Sequence, residues 1–177
     1  MVELVTSSYT DVIFDLALEE GHLEEIGAEL DEISKIMQEN PQYLVFLTSP
    51  QIAKEEKLES IEAVFGGRIE TTTKNFLKVL IDNRRIEYLL EITKSYKKLQ
   101  RSHLGIAFVE AVTPIPMDED QKKALVTKLE TKLGQKVELD NIIDPSIIGG
   151  MKIRIGERSL DASVSSRLKG LRAELVK

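Results

Sequence analysis

IIDPSIIGGMKIRIGERSLD, residues 142 to 161, passes from an apolar run through a turn and a double glycine into a strictly alternating strand. Asp144-Pro145-Ser146 has the residue types of a turn. Gly149-Gly150 allows a bulge or a close backbone approach. Met151, Ile153 and Ile155 then fall on one face and Lys152 and Arg154 on the other, the pattern of a half-buried strand. Gly156-Glu157 suits a tight hairpin into Arg158 to Leu160. A polar residue then caps a last helix, whose apolar stripe is Val164, Leu168, Leu171 and Leu175.

Working outward from this stretch, Lys136 to Ile143 reads as another strand, and Gly134 closes a helix before it. That helix opens at Asp118, with Gln121 three residues on in capping-box spacing, and Leu125, Leu129 and Leu133 line one face. Upstream, GIAFVEAVTPIP is a strand ended by Pro114 and Pro116. The hydrophobic period changes from about 3.6 to 2 at Gly105. Residues 105–177 therefore read β-α-β-β-β-α, a small C-terminal α/β domain.

Residues 1–104 read as helices joined by short loops. A first helix over 6–20, capped by Thr6 or Ser7, presents Tyr9, Ile13, Leu16 and Ala17. Gly21 and His22 break the pattern. The second helix steps Leu23, Ile26, Leu30, Ile33, Met37, a stripe that packs on other helices. Asn40-Pro41 ends it. Tyr43 to Leu47 is a short apolar turn, and Ser49-Pro50 reads as an N-cap with Pro at the first helical position. The helix it opens carries Leu58, Ile61, Val64 and Phe65 and stops at Gly66-Gly67. A fifth helix runs from Thr71–Thr73 towards Asn83. A sixth starts near Arg84 or Arg85 with Ile86, Leu89, Leu90, Tyr96 and Leu99. The fold class is α+β overall: an N-terminal six-helix bundle, 1–104, followed by the α/β domain, 105–177.

Composition narrows the function. The 177 residues are 42% hydrophobic and 31% charged, enough for a core, and with 5% aromatics that core is Leu, Ile and Val. Cys is absent, which removes disulfides, thiolate metal sites and Cys nucleophiles and fits a reducing compartment. No run approaches the roughly 20 apolar residues that span a bilayer, and the acidic N-terminus lacks the basic region of a signal peptide. Net charge is −6. The first 39 residues hold eleven acids and one base, Lys35, which argues against nucleic acid as a partner of this half. A solvated acidic face and a docking surface for a basic or amphipathic segment both fit.

No catalytic or ligand set emerges. The two histidines, His22 and His103, sit at helix ends and have no clustered partners. Asp118-Glu119-Asp120 lacks the spacing of a Ca²⁺ loop, and acids at a helix N-terminus serve its dipole. Gly149-Gly150 with Lys152 lacks both phosphate-loop spacings. The lysines of 122–136 are not interleaved with aromatics, so a nucleic-acid platform is weakly supported. The expectation is no catalytic residue, no metal, no cofactor, and a protein that binds proteins.

The stretch VELDNIIDPSIIGGMKIRIGERSLDASVSSRLKGL resembles the C-terminal signature of the δ subunit of F-type ATP synthases, the family of the oligomycin-sensitivity-conferring protein. Asp144, Ile147, Ile148, Gly149 and Gly150 match its core, followed by Lys152, Arg154, Gly156, Leu160-Asp161, Ser163-Val164 and Arg167-Leu168. Tyr9 with Phe14, Asp15, Leu16 and Ala17 looks like the family's first helix, with Thr10 and Val12 where small residues are usual. Asn75-Phe76-Leu77-x-Val79-Leu80 with Asn83-x-Arg85 resembles its fifth. The resemblance covers 1–177.

It implies a non-catalytic stator, or peripheral stalk, subunit, peripheral to the cytoplasmic face of a bacterial cell membrane through the complex and without direct membrane insertion. The N-terminal domain is implied to bind the α-subunit N-terminal helix in a groove of helices one and five. Tyr9, Val12, Ile13, Leu16, Asn75, Phe76, Val79, Leu80 and Asn83 are its candidate lining, although the same residues suit a bundle core. The C-terminal domain is implied to hold the C-terminal end of the b subunits, with Ile148, Gly149, Gly150, Met151, Ile153 and Leu168 as signature and candidate contact residues. The partners expected are proteins and not nucleic acid. A helical adaptor with an RNA- or small-ligand-binding α+β domain is the alternative, motivated by the basic helix 118–133.

Overall fold

Neither Gly nor Pro interrupts Val2 to Glu20, and in the computed structural model, which describes residues 2–156 and 158–161, one helix fills that span: α1 (Val2–Glu20). Thr6 and Ser7, expected as caps, lie inside α1. Thr6 is buried and its carbonyl accepts the Thr10 hydroxyl at 2.7 Å. Gly21 ends the helix at φ +75°, a value that favours glycine, and the His22 amide reaches back to the Ala17 carbonyl at 3.0 Å. α2 (Leu23–Glu39) buries Leu23, Ile26, Leu30, Ile33 and Met37, the stripe read from the sequence.

Two expectations for the next stretch are corrected. Tyr43–Leu47 is not a turn but part of α3 (Pro41–Thr48), with Pro41 at the helix start. The fixed φ of proline suits a first helical position, so the residue that stops α2 also starts α3. Ser49-Pro50 then opens nothing: Ser49 is the C-terminal boundary of α3, and α4 (Lys54–Phe65) starts after Ala53 without a side-chain cap. Pro just past a helix end is the commoner arrangement. α5 (Thr71–Asp82) follows. A 3₁₀ turn, Ile86–Tyr88, precedes α6 (Leu89–Leu104), which thus begins later than the Arg84–Arg85 start expected.

The chain divides into two compact units at Gln100/Arg101, inside α6. In the first, α5 packs on α1, α2 and α4. The core is aliphatic around Phe65, Phe76 and Tyr96, with Ile13, Ile26, Leu30, Leu77, Leu80 and Ile92 fully buried. Its polar atoms are satisfied. The hydroxyls of Ser34 on α2 and Thr93 on α6 bond each other at 2.8 Å, and the Tyr96 hydroxyl donates to the Leu23 carbonyl at 2.9 Å. Burial, with Glu25 nearby, holds the Tyr96 phenol well above its ordinary pKa.

The second unit is built on β1 (Ala107–Thr113), α7 (Glu119–Leu133), β2 (Val137–Ile143), β3 (Lys152–Ile155) and β4 (Arg158–Asp161), in the sheet order β2-β1-β3-β4. β1 and β2 run parallel because α7 carries the chain back between them, whereas β3 is antiparallel to β1 and β4 to β3. The expected capping box is present: Asp118 Oδ1 accepts the Gln121 amide at 2.7 Å, and Gln121 Oε1 accepts the Asp118 amide at 3.3 Å. Val109, Leu129 and Ile153 form the core, joined by Met151 and Ile155 from the alternating strand. Gly149-Gly150 makes no bulge. It is a bend ahead of β3, with Gly150 at φ +82°, and the β1–β3 register runs unbroken from Val109↔Ile155 to Val112↔Lys152. The helix expected beyond Asp161, with Leu168, lies outside the described residues.

Two side chains organise this unit. Arg101 forks onto Glu138 through Nε and Nη2, both at 2.6 Å, while its guanidinium covers the Phe108 ring at 4.0 Å. Asn141 uses its whole amide: Nδ2 donates to the Ala111 carbonyl at 2.9 Å and the Thr113 hydroxyl at 2.8 Å, and Oδ1 accepts the Met117 amide at 2.8 Å. Asn141 thereby ties β2 to β1 and to the segment after it. Asn141→Ala removes three bonds and leaves their partners short, an expected loss of about 2–4 kcal/mol, read as a lower midpoint in urea unfolding of the full chain. An unchanged midpoint sinks that role.

Candidate functional site

The α1–α5 seam is held by carboxylates. α5 has no side-chain cap of its own. Glu29 of α2 instead accepts the Glu70 amide at 2.7 Å and the Thr73 hydroxyl, and Glu20 of α1 accepts the Thr72 hydroxyl at 2.7 and 2.9 Å. Negative charge at a helix N-terminus is favourable, so α5 is docked to α1 and α2 through its first turn. Farther along, Tyr9 and Phe76 meet edge to face with ring centroids 6.4 Å apart.

The nine residues expected to line a groove on these helices divide by burial. Ile13, Phe76 and Leu80 belong to the core, and Tyr9 is half-buried at the seam. Val12 is 55% exposed and Val79 45%, and Leu16, Asn75 and Asn83 are also exposed. Val12 and Leu16 are one helical turn apart on α1, as are Asn75 and Val79 on α5, with Asn83 following at the C-terminal boundary of α5, so each set forms a stripe. Asn83 is only partly available as a polar edge, because its Nδ2 donates to the Val79 carbonyl at 2.9 Å.

In the second unit the double glycine lies in the connection from β2 to β3 and leaves Ile148 84% exposed, while Met151 is half-buried and Ile153 is core. Beyond the residues singled out from sequence, Ile115 and Ile143 are also exposed, and Ile143 pairs with Thr113 at the end of β1. A second feature is an apolar trough of about 780 Å³ between α7 and β3–β4. Leu125, Leu129, Leu133, Ile153, Ile155 and Leu160 line it, and Lys128, Lys132 and Arg158 add charge. The i, i+4, i+8 leucines of α7 were visible in the sequence; that they face β4 required knowing that β4 extends the sheet beyond β3.

Among the described residues no group of three or more His, Cys, Asp and Glu is placed to hold a metal ion, and no helix is long and apolar enough to cross a membrane. The carboxylates held below their ordinary range owe it to local bonds: Glu119 to Lys122, Asp144 to Ser146. Glu119 opens α7, and Asp144 is half-buried ahead of the Pro145-Ser146 turn. What the geometry offers is two surfaces of apolar side chains with charged surroundings, suited to packing against helices.

The family model described as ATP synthase delta (OSCP) subunit matches residues 5–175. The ATP synthase subunit delta of Clostridioides difficile (strain 630) is 32% identical over 176 residues, covering 99% of this chain and 97% of that protein. The subunit delta of Halalkalibacterium halodurans is 36% identical over 173 residues, covering 97% and 94%. A chain in a cryo-EM structure of the Toxoplasma gondii mitochondrial ATP synthase hexamer shares the fold at TM-score 0.74 and 22% identity, over 97% of each chain.

Proposed function

This chain belongs to the ATP synthase delta (OSCP) subunit family, and on that premise we propose that it is the peripheral-stalk stator subunit of an F-type ATP synthase, a non-catalytic link between the catalytic head and the b subunits. By holding the head still against the rotor, it lets ion translocation drive ATP synthesis. The match of the family model over residues 5–175 carries this reading. The alternative, an RNA- or small-ligand-binding adaptor, has no comparable support. The protein is peripheral to the membrane through its complex, on the cytoplasmic side of a bacterial cell.

The N-terminal half receives the N-terminal helix of an α subunit along the α1–α5 seam. Val12, Leu16 and Val79 are the apolar contacts, Tyr9 the half-buried hinge of the seam, and Asn75 and Asn83 the polar edge. Ile13, Phe76 and Leu80 support this surface from below. The acidic first helices favour a partner segment with basic residues, and that attraction weakens as salt screens it. The test is calorimetric titration of the full chain with a peptide of the first 20 or so residues of the cognate α subunit. Tight one-to-one binding is expected, and its absence with a folded protein removes the assignment.

The C-terminal half holds the C-terminal end of b. Its trough between α7 and β3–β4 suits the apolar stripe of an amphipathic helix, and Lys128, Lys132 and Arg158 suit acidic residues beside that stripe. Ile148, next to Gly149-Gly150, with Ile115 and Ile143 forms a further apolar contact surface. A stator under torque needs a slow off-rate at both interfaces, which standard interfaces of roughly 1,200–2,000 Å² support. Leu160→Asp, at an exposed trough residue, is expected to weaken capture of a b C-terminal fragment at least about tenfold and to leave the α-peptide titration unchanged. Undiminished capture of the b fragment by the folded variant overturns the trough assignment.

A further inference from the structure

α1 contains no lysine or arginine, and its exposed acids Asp11, Asp15 and Glu19 recur one turn apart. Like charges at that spacing repel, and Glu19 in the last turn also opposes the helix dipole. Neighbouring acids have local bonds: Asp11 accepts the Ser7 hydroxyl at 3.4 Å, and Glu20 accepts the Thr72 hydroxyl. Asp15 and Glu19 have no ion pair among the described residues. They border an apolar stripe. At 3.6 residues per turn, Val12, Glu19 and Asp15 fall within about 60° around the helix axis, and Val12 and Leu16 are exposed.

α7 has the same arrangement with the opposite sign. Lys128 and Lys132 immediately precede Leu129 and Leu133, as Asp15 precedes Leu16. These four residues line the trough of about 780 Å³, where Arg158 adds a third cation and Leu160 is 64% exposed. None of the three cations has an ion pair among the described residues. On two right-handed helices, charged edges that both precede their apolar edges meet when the helices run antiparallel. That orientation also sets opposed helix dipoles side by side.

We propose that α1 of a second copy of this chain docks in the trough, antiparallel to α7. Val12 and Leu16 pack on Leu129, Leu133 and Leu160, Asp15 faces Lys132, and Glu19 faces Lys128. Opposite charges flanking an apolar seam set partner and orientation in this way. The two surfaces are those assigned above to the α and b segments, but the pairing needs neither partner. Unassembled copies thereby cover each other's apolar surfaces. The contact is heterologous, so it forms rings or open chains of copies.

Sedimentation equilibrium of the full chain in low salt tests this. The interface is smaller than the roughly 1,200 Å² of stable complexes, so mean mass is expected to at least double between about 5 and 200 µM. Salt reverses the rise, because the screening length falls from about 10 Å at 0.1 M to about 3 Å at 1 M. Asp15→Lys with Glu19→Lys gives a monomer throughout that range, as does Lys128→Glu with Lys132→Glu. The chain with all four reversals associates again, which no unfolded variant would do. An unaltered chain that stays monomeric, association that survives either pair of reversals, or a fourfold variant that stays monomeric overturns the self-pairing. A monomeric chain that still binds the α peptide overturns the self-pairing alone and leaves the stator reading standing.

Discussion

Val79→Asp weakens binding of the α-subunit N-terminal peptide by about 30-fold or more, roughly 2 kcal/mol, in a bundle that stays folded. The position allows this separation. Val79 is 45% exposed while its neighbour Leu80 is fully buried, so a carboxylate at 79 remains in water in the free protein and is desolvated only under a docked helix. A negative charge in the last turns of α5 opposes the helix dipole by a few tenths of a kcal/mol. Val79→Lys, which suits that dipole, separates the two effects: it too blocks docking, without loss of stability. Retention of full affinity by both variants, in calorimetric titration, places the peptide elsewhere on the bundle. Leu80→Asp is the contrasting case, because a charge at a fully buried site unfolds the bundle before binding can be measured.

Glu29→Ala lowers the stability of the N-terminal half by about 2–3 kcal/mol. One carboxylate accepts both the Glu70 amide and the Thr73 hydroxyl, and Thr73 is fully buried. Its loss leaves the first turn of α5 without the acceptor that a local cap would normally provide. Glu29→Gln retains one acceptor oxygen and loses the charge, so it recovers about half. Urea midpoints of the three proteins check the order. A Gln variant as unstable as the Ala variant assigns the effect to charge alone, and no loss in either dismisses the brace. Because α5 carries half of the proposed docking stripe, Glu29→Ala also weakens the α peptide although Glu29 is no part of that stripe.

The fold was legible wherever a single period ran long enough. The second helix could be read residue by residue, since its stripe is uninterrupted and its flanks are acidic. The order of strands and helix from Ala107 to Asp161 was legible because alternation, a capping box and two glycine turns agree. What failed was local. Pro41 and Pro50 have the same chemistry, yet one starts a helix and the other follows a helix end; which occurs depends on how α3 packs, and a dipeptide carries no record of that. Thr6 and Ser7 are good caps that the chain passes over, because nothing upstream stops α1. Gly149-Gly150 serves a bend as well as a bulge.

The docking stripe was half legible. Spacing names the residues on one face of a helix, but both the buried and the exposed edges of that face are apolar here. Only the packing of α5 against α1, α2 and α4 separates Phe76 and Leu80 from Val79. The trough was hidden for another reason: α7 and β4 are 24 residues apart between Leu133 and Arg158 and come together only through the sheet order.

Arg101 bears on where the chain can be cut. The period of the sequence changes at Gly105, and a fragment begun there looks complete on paper. It would lack the guanidinium that covers Phe108 and forks onto Glu138. An uncovered Phe108 ring and a Glu138 deprived of the Arg101 fork would then mark the start of the sheet, inviting self-association. A fragment begun at Arg101 keeps that corner closed, so the last turn of α6 belongs to the autonomy of the piece that follows it.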